Sequence, residues 1–405
     1  MAYKTSSASI TIVVYEPARF GFFTYRPFDS GRLTAVAAEE SKPTDRFRIL
    51  CVDGGGIRGL IPALVIAELE RRLQQRVGPQ ARASDYFHMF AGTSTGGLVA
   101  LSLTAPDPEQ PERPRVSGEE LAGFYVEDGP EIFHRSSSQK LRTLWGWLGP
   151  KYTLGPLRNS IETRLGTGRL EQALREVVVT SYDMTNREPY FFKRWRARES
   201  PESDRNRPLT DAGLATSAAP TYFPSHELDG RALVDGGVFA ANPVIVAIVE
   251  ALKRFGDHPH HLDQDDLLVV SIGTGLHEDG YRQEQVRRWG KLGWVLPHDG
   301  EPPILGATLG GSSDGADHWA HTLLNHPGDP HIQPADLGHG PRFFRLQVPL
   351  RSTVALDDAS RRALTETLPA SADELIRSHE AELSEIVDRL LRFEPLPFDP
   401  ARSGA

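Results

Sequence analysis

Residues 47–59 read Phe-Arg-Ile-Leu-Cys-Val-Asp-Gly-Gly-Gly-Ile-Arg-Gly. The first six residues form a largely apolar run, which predicts a buried β-strand. The single cysteine, Cys51, lies in this run and is predicted to be a buried thiol and not a nucleophile. The glycines that follow predict a tight turn, and residues 61–77 then repeat apolar side chains at helical spacing. A strand, a turn and a helix in this order are typical of a layered α/β fold.

A second unit of the same kind follows about 40 residues later in the sequence. Residues 87–91 predict a strand and residues 96–104 predict a helix. Between them lies Gly92-Thr93-Ser94-Thr95-Gly96-Gly97, which matches the G-x-S-x-G pattern of a serine exposed on a sharp strand-to-helix turn. Because parallel strands place their carboxyl ends at one edge of a sheet, we expect the two glycine-rich turns to lie together.

The serine needs a neighbouring base, because its hydroxyl is a poor nucleophile at neutral pH. Leu233-Val234-Asp235-Gly236-Gly237 ends an apolar strand with an aspartate and two glycines. Burial would raise the basicity of such a carboxylate, and N–H groups of the turn would orient it. The 14 histidines fall mostly in irregular stretches, so none is preferred as the base. Taken singly, each of these motifs also fits an ordinary turn without a ligand.

Residues 54–59 also match the G-x-G-x-x-G pattern of dinucleotide-binding proteins. That fingerprint expects an acidic residue about 20 positions later at the end of a second strand. Here residues 74–78 still continue the helix. The preferred interpretation is a turn whose N–H groups, with the helix N-terminus, hold a phosphate or an oxyanion. A nucleotide-dependent oxidoreductase stays as an alternative, which predicts NAD binding and no esterase activity.

Further periodic segments fill the chain. Helices are predicted near residues 118–134, 156–165, 210–218, 243–255, 357–367 and 371–393, and strands at 177–179, 190–192, 267–272 and 343–348. Ser371-Ala372-Asp373-Glu374 fits a capping box that would open the last helix. Strands that alternate with helices indicate an α/β fold with a largely parallel sheet.

Taken together, the motifs resemble the patatin-like phospholipase family, in its bacterial type. Asp53–Gly59 is similar to the oxyanion loop of the family, Gly92–Gly97 to its nucleophile elbow and Asp235–Gly237 to its catalytic aspartate turn. The resemblance spans residues 47–390 and extends to residues 215–224, 271–275 and 356–360. One departure is Ala240-Ala241-Asn242-Pro243, because the family commonly has two asparagines before this proline.

The resemblance implies a three-layer α/β/α patatin-like fold with a largely parallel central sheet. It also implies a lipid acyl hydrolase of the phospholipase A type. Ser94 would attack an ester carbonyl and form an acyl-serine intermediate, while Asp235 accepts the proton. The N–H groups of Gly54, Gly55 and Gly56 would form the oxyanion hole. The resemblance implies no metal and no other cofactor.

Composition and motif positions predict the domain organisation. Hydrophobic residues make up 39% and charged residues 24% of the 405 residues, which is a globular composition. Because the nucleophile and the base must meet in one site, we predict one patatin-like domain over residues 47–395. It includes an irregular insert at 276–341, rich in Gly, His, Pro and Trp, and the C-terminal helices. Residues 1–46 are predicted to be a loose extension and residues 396–405 a tail.

The charge balance bears on the partners. The chain has 45 basic and 54 acidic residues, a net charge of −9, which argues against a partner that is a nucleic-acid polymer. The sequence has no apolar run of about 18 residues and no convincing signal peptide, so we expect a cytoplasmic protein, peripheral to the membrane when active.

Residues 286–296 mix Trp with Arg and Lys, and either contact a membrane surface transiently or pack as a cap. Trp145 and Trp147 raise the same question. Arg58 would hold an anionic headgroup or support its turn.

The expected substrate is a phospholipid or another acyl-ester lipid. Two alternatives share the fold. One is an antiphage effector whose phospholipase is switched on by a cyclic nucleotide, with residues 276–341 as the regulatory element. The other is a non-enzymatic storage or scaffold protein, against which the intact Ser94 and Asp235 argue.

Overall fold

The computed structural model describes residues 45–135, 149–199, 205–256, 261–277, 280–296, 302–325 and 340–398. The strands are β1 Phe47–Val52, β2 Met89–Thr93, β3 Glu176–Asp183, β4 Glu188–Lys193, β5 His226–Leu228, β6 Arg231–Asp235, β7 Leu267–Ile272 and β8 Phe343–Leu346. The helices are α1 Leu60–Val77, α2 Thr95–Ser102, α3 Gly118–Ile132, α4 Leu154–Leu165, α5 Arg194–Glu199, α6 Leu209–Thr216, α7 Gly237–Ala240, α8 Val244–Phe255, α9 Gln283–Val286, α10 Lys291–Val295, α11 Pro303–Leu324, α12 Leu368–Ser378 and α13 Glu380–Leu390.

The strands form one mixed, mostly parallel sheet. Strands β3, β2, β1, β7 and β8 pair in parallel in that order. The other pairings are antiparallel: β4 and β6 each pair with β3, and β5 pairs with β6. The predicted α/β fold with a largely parallel sheet is confirmed.

The register of β3 explains how β6 reaches the centre of the sheet. Thr180 of β3 pairs with Thr93 at the end of β2, and the next residue, Ser181, pairs with Asp235 at the end of β6. Since β4 pairs with both Thr180 and Ser181 along the other edge of β3, β2 and β6 share one edge. The two strands therefore run toward each other and end at adjacent positions.

Helices cover both faces of the sheet. Side chains alternate along β1, so that Leu50 and Val52 join a core with α1, α12 and α13. Ile49 and Cys51 join the opposite core with α8 and α11. This is the expected three-layer arrangement. Cys51 is a free, buried thiol, and burial raises its pKa.

Some predicted boundaries differ from the structure. The strand expected at 87–91 begins and ends two residues later. The capping box at Ser371 is wrong, because Ser371 lies inside α12 and its hydroxyl donates to Thr367 O at 3.0 Å. The chain breaks instead at His379, between α12 and α13.

The segment 276–341, expected to be irregular, contains the 22-residue helix α11. Its glycines, serines and alanines give a weak helical signal, because Gly and Ser have low helix propensity. Tertiary packing stabilises the helix instead, because Ala316, Ala320 and Leu324 are buried in the core beside α8. None of the helices in the described ranges has the length and apolarity needed to cross a bilayer.

Candidate active site

Ser94 lies on a strained turn between β2 and α2. Its backbone has φ 54° and ψ −124°, which is unusual for a residue other than glycine. Gly96 makes the turn possible, since a Cβ at this position would overlap the backbone of Val52. The Ser94 N–H donates to Thr216 Oγ1 at 2.7 Å. Because α2 begins directly after Ser94, its partial positive end faces the serine.

Asp235 lies next to Ser94, where β6 meets β2. The side chain is 5% exposed, and its Oδ1 accepts a hydrogen bond from Gly237 N–H at 2.7 Å. Burial raises the pKa of Asp235 to about 6, although hydrogen bonds from the Ser94 side chain and the Gly237 N–H oppose the rise. Among the described residues, no lysine or arginine forms an ion pair with Asp235. The carboxylate is thus placed to take the proton of Ser94 near neutral pH.

The glycine-rich loop after β1 lies against this pair. The Gly54 N–H donates to Ala241 O at 2.9 Å, so it already has a backbone acceptor, whereas the motif predicts all three glycines as oxyanion donors. The N–H groups of Gly55 and Gly56 have no acceptor within the described part of the protein. Gly56 has φ +56°, and a Cβ there would overlap Leu356 O. The loop therefore offers two free N–H groups beside Ser94.

Asp53, at the start of the same loop, is not among the residues that line the cavity beside Ser94 and Asp235. It forms a two-point ion pair with Arg345 of β8, at 2.9 and 2.6 Å. Burial raises the pKa of Asp53, and the charge and hydrogen bonds of Arg345 oppose this rise. Burial also lowers the pKa of Arg345, but Asp53 raises it above its usual range. Arg345 belongs to none of the sequence motifs, although a charge in the apolar strand 343–348 is a signal of a buried partner.

Arg58 is 7% exposed and its Nη1 lies 2.9 Å from His277 Nε2. It is not among the residues that line the cavity beside Ser94. Arg58 is expected either to hold an anionic headgroup or to support its turn, and its position fits the second role.

An apolar cavity extends from the site. It encloses about 1220 Å³, part of which is open to solvent, and Ser94, Asp235 and the glycine loop line one part of it. The remaining wall is mostly aliphatic and aromatic, and it includes Leu121, Phe124, Tyr125, Ile132, Phe133, Leu157, Ile161, Tyr222, Phe223, Leu305, Leu309 and Leu356. Helices α3, α4 and α11 supply most of this wall. No local motif indicates the cavity, because its residues are distant along the chain.

The proposed interfacial segment 286–296 is only partly packed. Trp289 contacts Tyr281 and Trp294 edge to face, with ring centroids 4.7 and 5.3 Å apart. Leu292 and Val295 are 64% and 53% exposed. Trp145 and Trp147 lie outside the described residues. No cluster of metal-binding side chains occurs within the described ranges.

Comparison with known proteins agrees with this geometry. The family model described as patatin-like phospholipase matches residues 50–248. Patatin-like protein 2 of Arabidopsis thaliana is 40% identical over 291 residues, which are 66% of this chain and 70% of that protein. Patatin-07 of Solanum tuberosum is 33% identical over 349 residues, which are 81% and 83% of the two chains.

Among solved structures, human GIVD cytosolic phospholipase A2 is similar with 12% identity and a TM-score of 0.39, over 85% of this chain and 60% of that chain. The relation of this chain to the two plant proteins does not depend on this structural likeness. The two relatives above are plant proteins, so the bacterial type inferred from the sequence stays a prediction.

Proposed function

The chain belongs to the patatin-like phospholipase family, and we propose that it is a lipid acyl hydrolase of the phospholipase A type. The observation that carries the proposal is the placement of Ser94 and Asp235 together in the wall of an apolar cavity. Ser94, on a strained elbow, lies beside Asp235, a buried carboxylate that has no cationic partner within the described part of the chain.

The reaction follows from this geometry. Ser94 Oγ attacks the ester carbonyl carbon, and its proton passes to Asp235. The N–H groups of Gly55 and Gly56 stabilise the negative oxygen, and removal of one such donor typically costs about 3–4 kcal/mol. The C–O bond to the leaving alcohol then breaks, and Asp235 returns the proton to that oxygen. Water, deprotonated by Asp235, then attacks the acyl carbon. The bond from that carbon to Ser94 Oγ breaks, Asp235 returns the proton to Ser94 Oγ, and the fatty acid leaves.

The apolar cavity supports an acyl chain as the bound part of the substrate. In this proposal the protein is cytoplasmic and contacts the membrane surface transiently. The exposed Leu292 and Val295, with Arg287 and Arg288 nearby in the sequence, support residues 286–296 as the contact. Helix α10, which carries the two apolar side chains, packs against α11, and α11 lines the cavity.

The test is lipid mass spectrometry after incubation with mixed phospholipids, comparing wild type with D235N. We expect free fatty acid and lysophospholipid from wild type only. In parallel, a fluorophosphonate probe should label wild type and fail to label S94A. Equal labelling of S94A would exclude Ser94 as the nucleophile.

The same assays separate the alternatives. If wild type releases fatty acid only after a cyclic nucleotide is added, the activity is ligand-regulated, as in the antiphage alternative. If wild type is neither labelled nor active on any lipid, the non-enzymatic alternative replaces the proposed function.

A further inference from the structure

Helix α11 carries two adjacent serines, Ser312 and Ser313, that contact both turns of the site. Serine and threonine hydroxyls inside helices commonly bond to the carbonyl four residues earlier. Thr308 and Thr322 of the same helix do so, to Ile304 O and His318 O, each at 2.8 Å. The hydroxyls of Ser312 and Ser313 bond instead to other elements.

Ser312 contacts the segment that follows Asp235. Its hydroxyl donates to Phe239 O at 3.0 Å and accepts from Ala241 N–H at 3.1 Å. The carbonyl of the same Ala241 accepts the N–H of Gly54, the first glycine of the oxyanion loop, at 2.9 Å. The Ser312 hydroxyl is therefore linked through one residue to the loop beside Ser94.

Ser313 contacts the residue that begins the same loop. Its hydroxyl donates to Asp53 Oδ2 at 3.1 Å and accepts from Arg345 Nη2 at 3.2 Å. Ser313 is 6% exposed, so water does not easily replace these bonds. Asp53 directly precedes Gly54, so the serines are linked to two consecutive residues, Ser313 to Asp53 directly and Ser312 to Gly54 through Ala241.

We infer that Ser312 and Ser313 are positioning residues for the hydrolase reaction, and that they fix the oxyanion loop relative to the Asp235 turn. The inference rests on the proposed function. The donors of an oxyanion hole must lie within a few tenths of an ångström of their working positions. A misplacement of about 1 Å can cost roughly 100-fold in rate. Two hydroxyls that bind both turns from one rigid helix supply this precision.

The experiment compares S312A and S313A with T308A and T322A, which remove hydroxyls that bond only within α11. The measurements are kcat and KM on a soluble fatty acyl ester, the rate of fluorophosphonate labelling, and the melting temperature. For each serine variant we expect kcat and the labelling rate to fall about tenfold, since each loses two hydrogen bonds. KM should stay within twofold of wild type, and the threonine variants should match wild type throughout. S312T, which keeps a hydroxyl, should recover most of the lost rate.

Serine variants with kcat and labelling within twofold of wild type would overturn the inference. So would a loss that S312T fails to recover, or a loss that the threonine variants share. If buried S313A does not fold, the half-buried S312A decides the question alone. Failure of the proposed function looks different, because wild type itself would then show no labelling and no esterase activity.

Discussion

The tripeptide Asp-Gly-Gly occurs twice at the end of a strand, once at Asp53 and once at Asp235. Both aspartates are buried, at 3% and 5% exposure. Asp53 meets the guanidinium of Arg345, whereas Asp235 meets a hydroxyl and an N–H group. The Asp-Gly-Gly motif by itself therefore supplies only a buried carboxylate. The groups that the fold places beside each carboxylate decide whether it holds the structure together or is left to accept a proton.

The largest expected effect is on catalysis at Asp235. D235N keeps the shape of the side chain but cannot take the proton of Ser94. General-base catalysis is typically worth about 10²–10⁴ in rate, so we expect kcat/KM to fall by roughly 10³ or more. The melting temperature should not fall, because the variant removes a buried carboxylate that has no cation beside it. Ester hydrolysis and thermal unfolding measure the two effects, and unchanged hydrolysis would exclude Asp235 as the base.

The D53N variant tests whether Asp53 has a structural role. It leaves the buried Arg345 without its counter-charge, and breaking a buried ion pair typically costs about 3–5 kcal/mol of unfolding free energy. Urea unfolding should show this loss, and R345M should show a similar one. In the double variant D53N/R345M no charge is left unpaired, so part of the stability should return. A D53N protein as stable as wild type would contradict the structural role of Asp53.

Local sequence predicts some residues of the site, whereas their distant partners cannot be predicted from it. Each proposed catalytic residue belongs to a short contiguous motif, so Ser94 and Asp235 could be singled out from local sequence. The partners of Asp53 could not, because Ser313 and Arg345 are 260 and 292 residues away in the chain. The sequence also predicted a parallel sheet, but nothing local reveals that β6 runs against β2 along one edge of β3. That antiparallel pairing brings Asp235 next to Ser94.

The pH dependence sharpens the difference between the two carboxylates. Since the pKa of Asp235 is raised to about 6, the free enzyme should gain activity as the pH rises through 6. Below that pH, kcat/KM should fall about tenfold per unit. A profile for soluble esters that is flat between pH 5 and pH 7 would contradict this assignment.

Stability should change in the opposite direction. The folded-state pKa of Asp235 lies above the ordinary value of 3.8, so the folded protein binds this proton more tightly than the unfolded chain. The stabilising contribution of Asp235 is complete below pH 3.8 and is lost as the pH rises through 6. The difference in unfolding free energy between wild type and D235N should therefore shift by roughly 3 kcal/mol between pH 3.5 and pH 7. Urea unfolding at several pH values measures it, and a constant difference would contradict the raised pKa.

The smallest expected effect is at Gly54, and it separates the glycine that supports the loop from those that face the substrate. A Cβ on Gly54 would lie 3.4 Å from Ser94 Cβ and from Thr93 O, which is ordinary contact, and G54A leaves the bond from its N–H to Ala241 O in place. A Cβ on Gly55 would overlap the Thr274 side chain, so G55A must move the loop. We expect G54A to keep kcat within about threefold of wild type and G55A to lose about 100-fold or more, the range seen when an oxyanion donor is removed. If G54A lost as much as G55A while both kept the wild-type melting temperature, the N–H of Gly54 would have to serve the oxyanion after all, and its bond to Ala241 would have to open during the reaction.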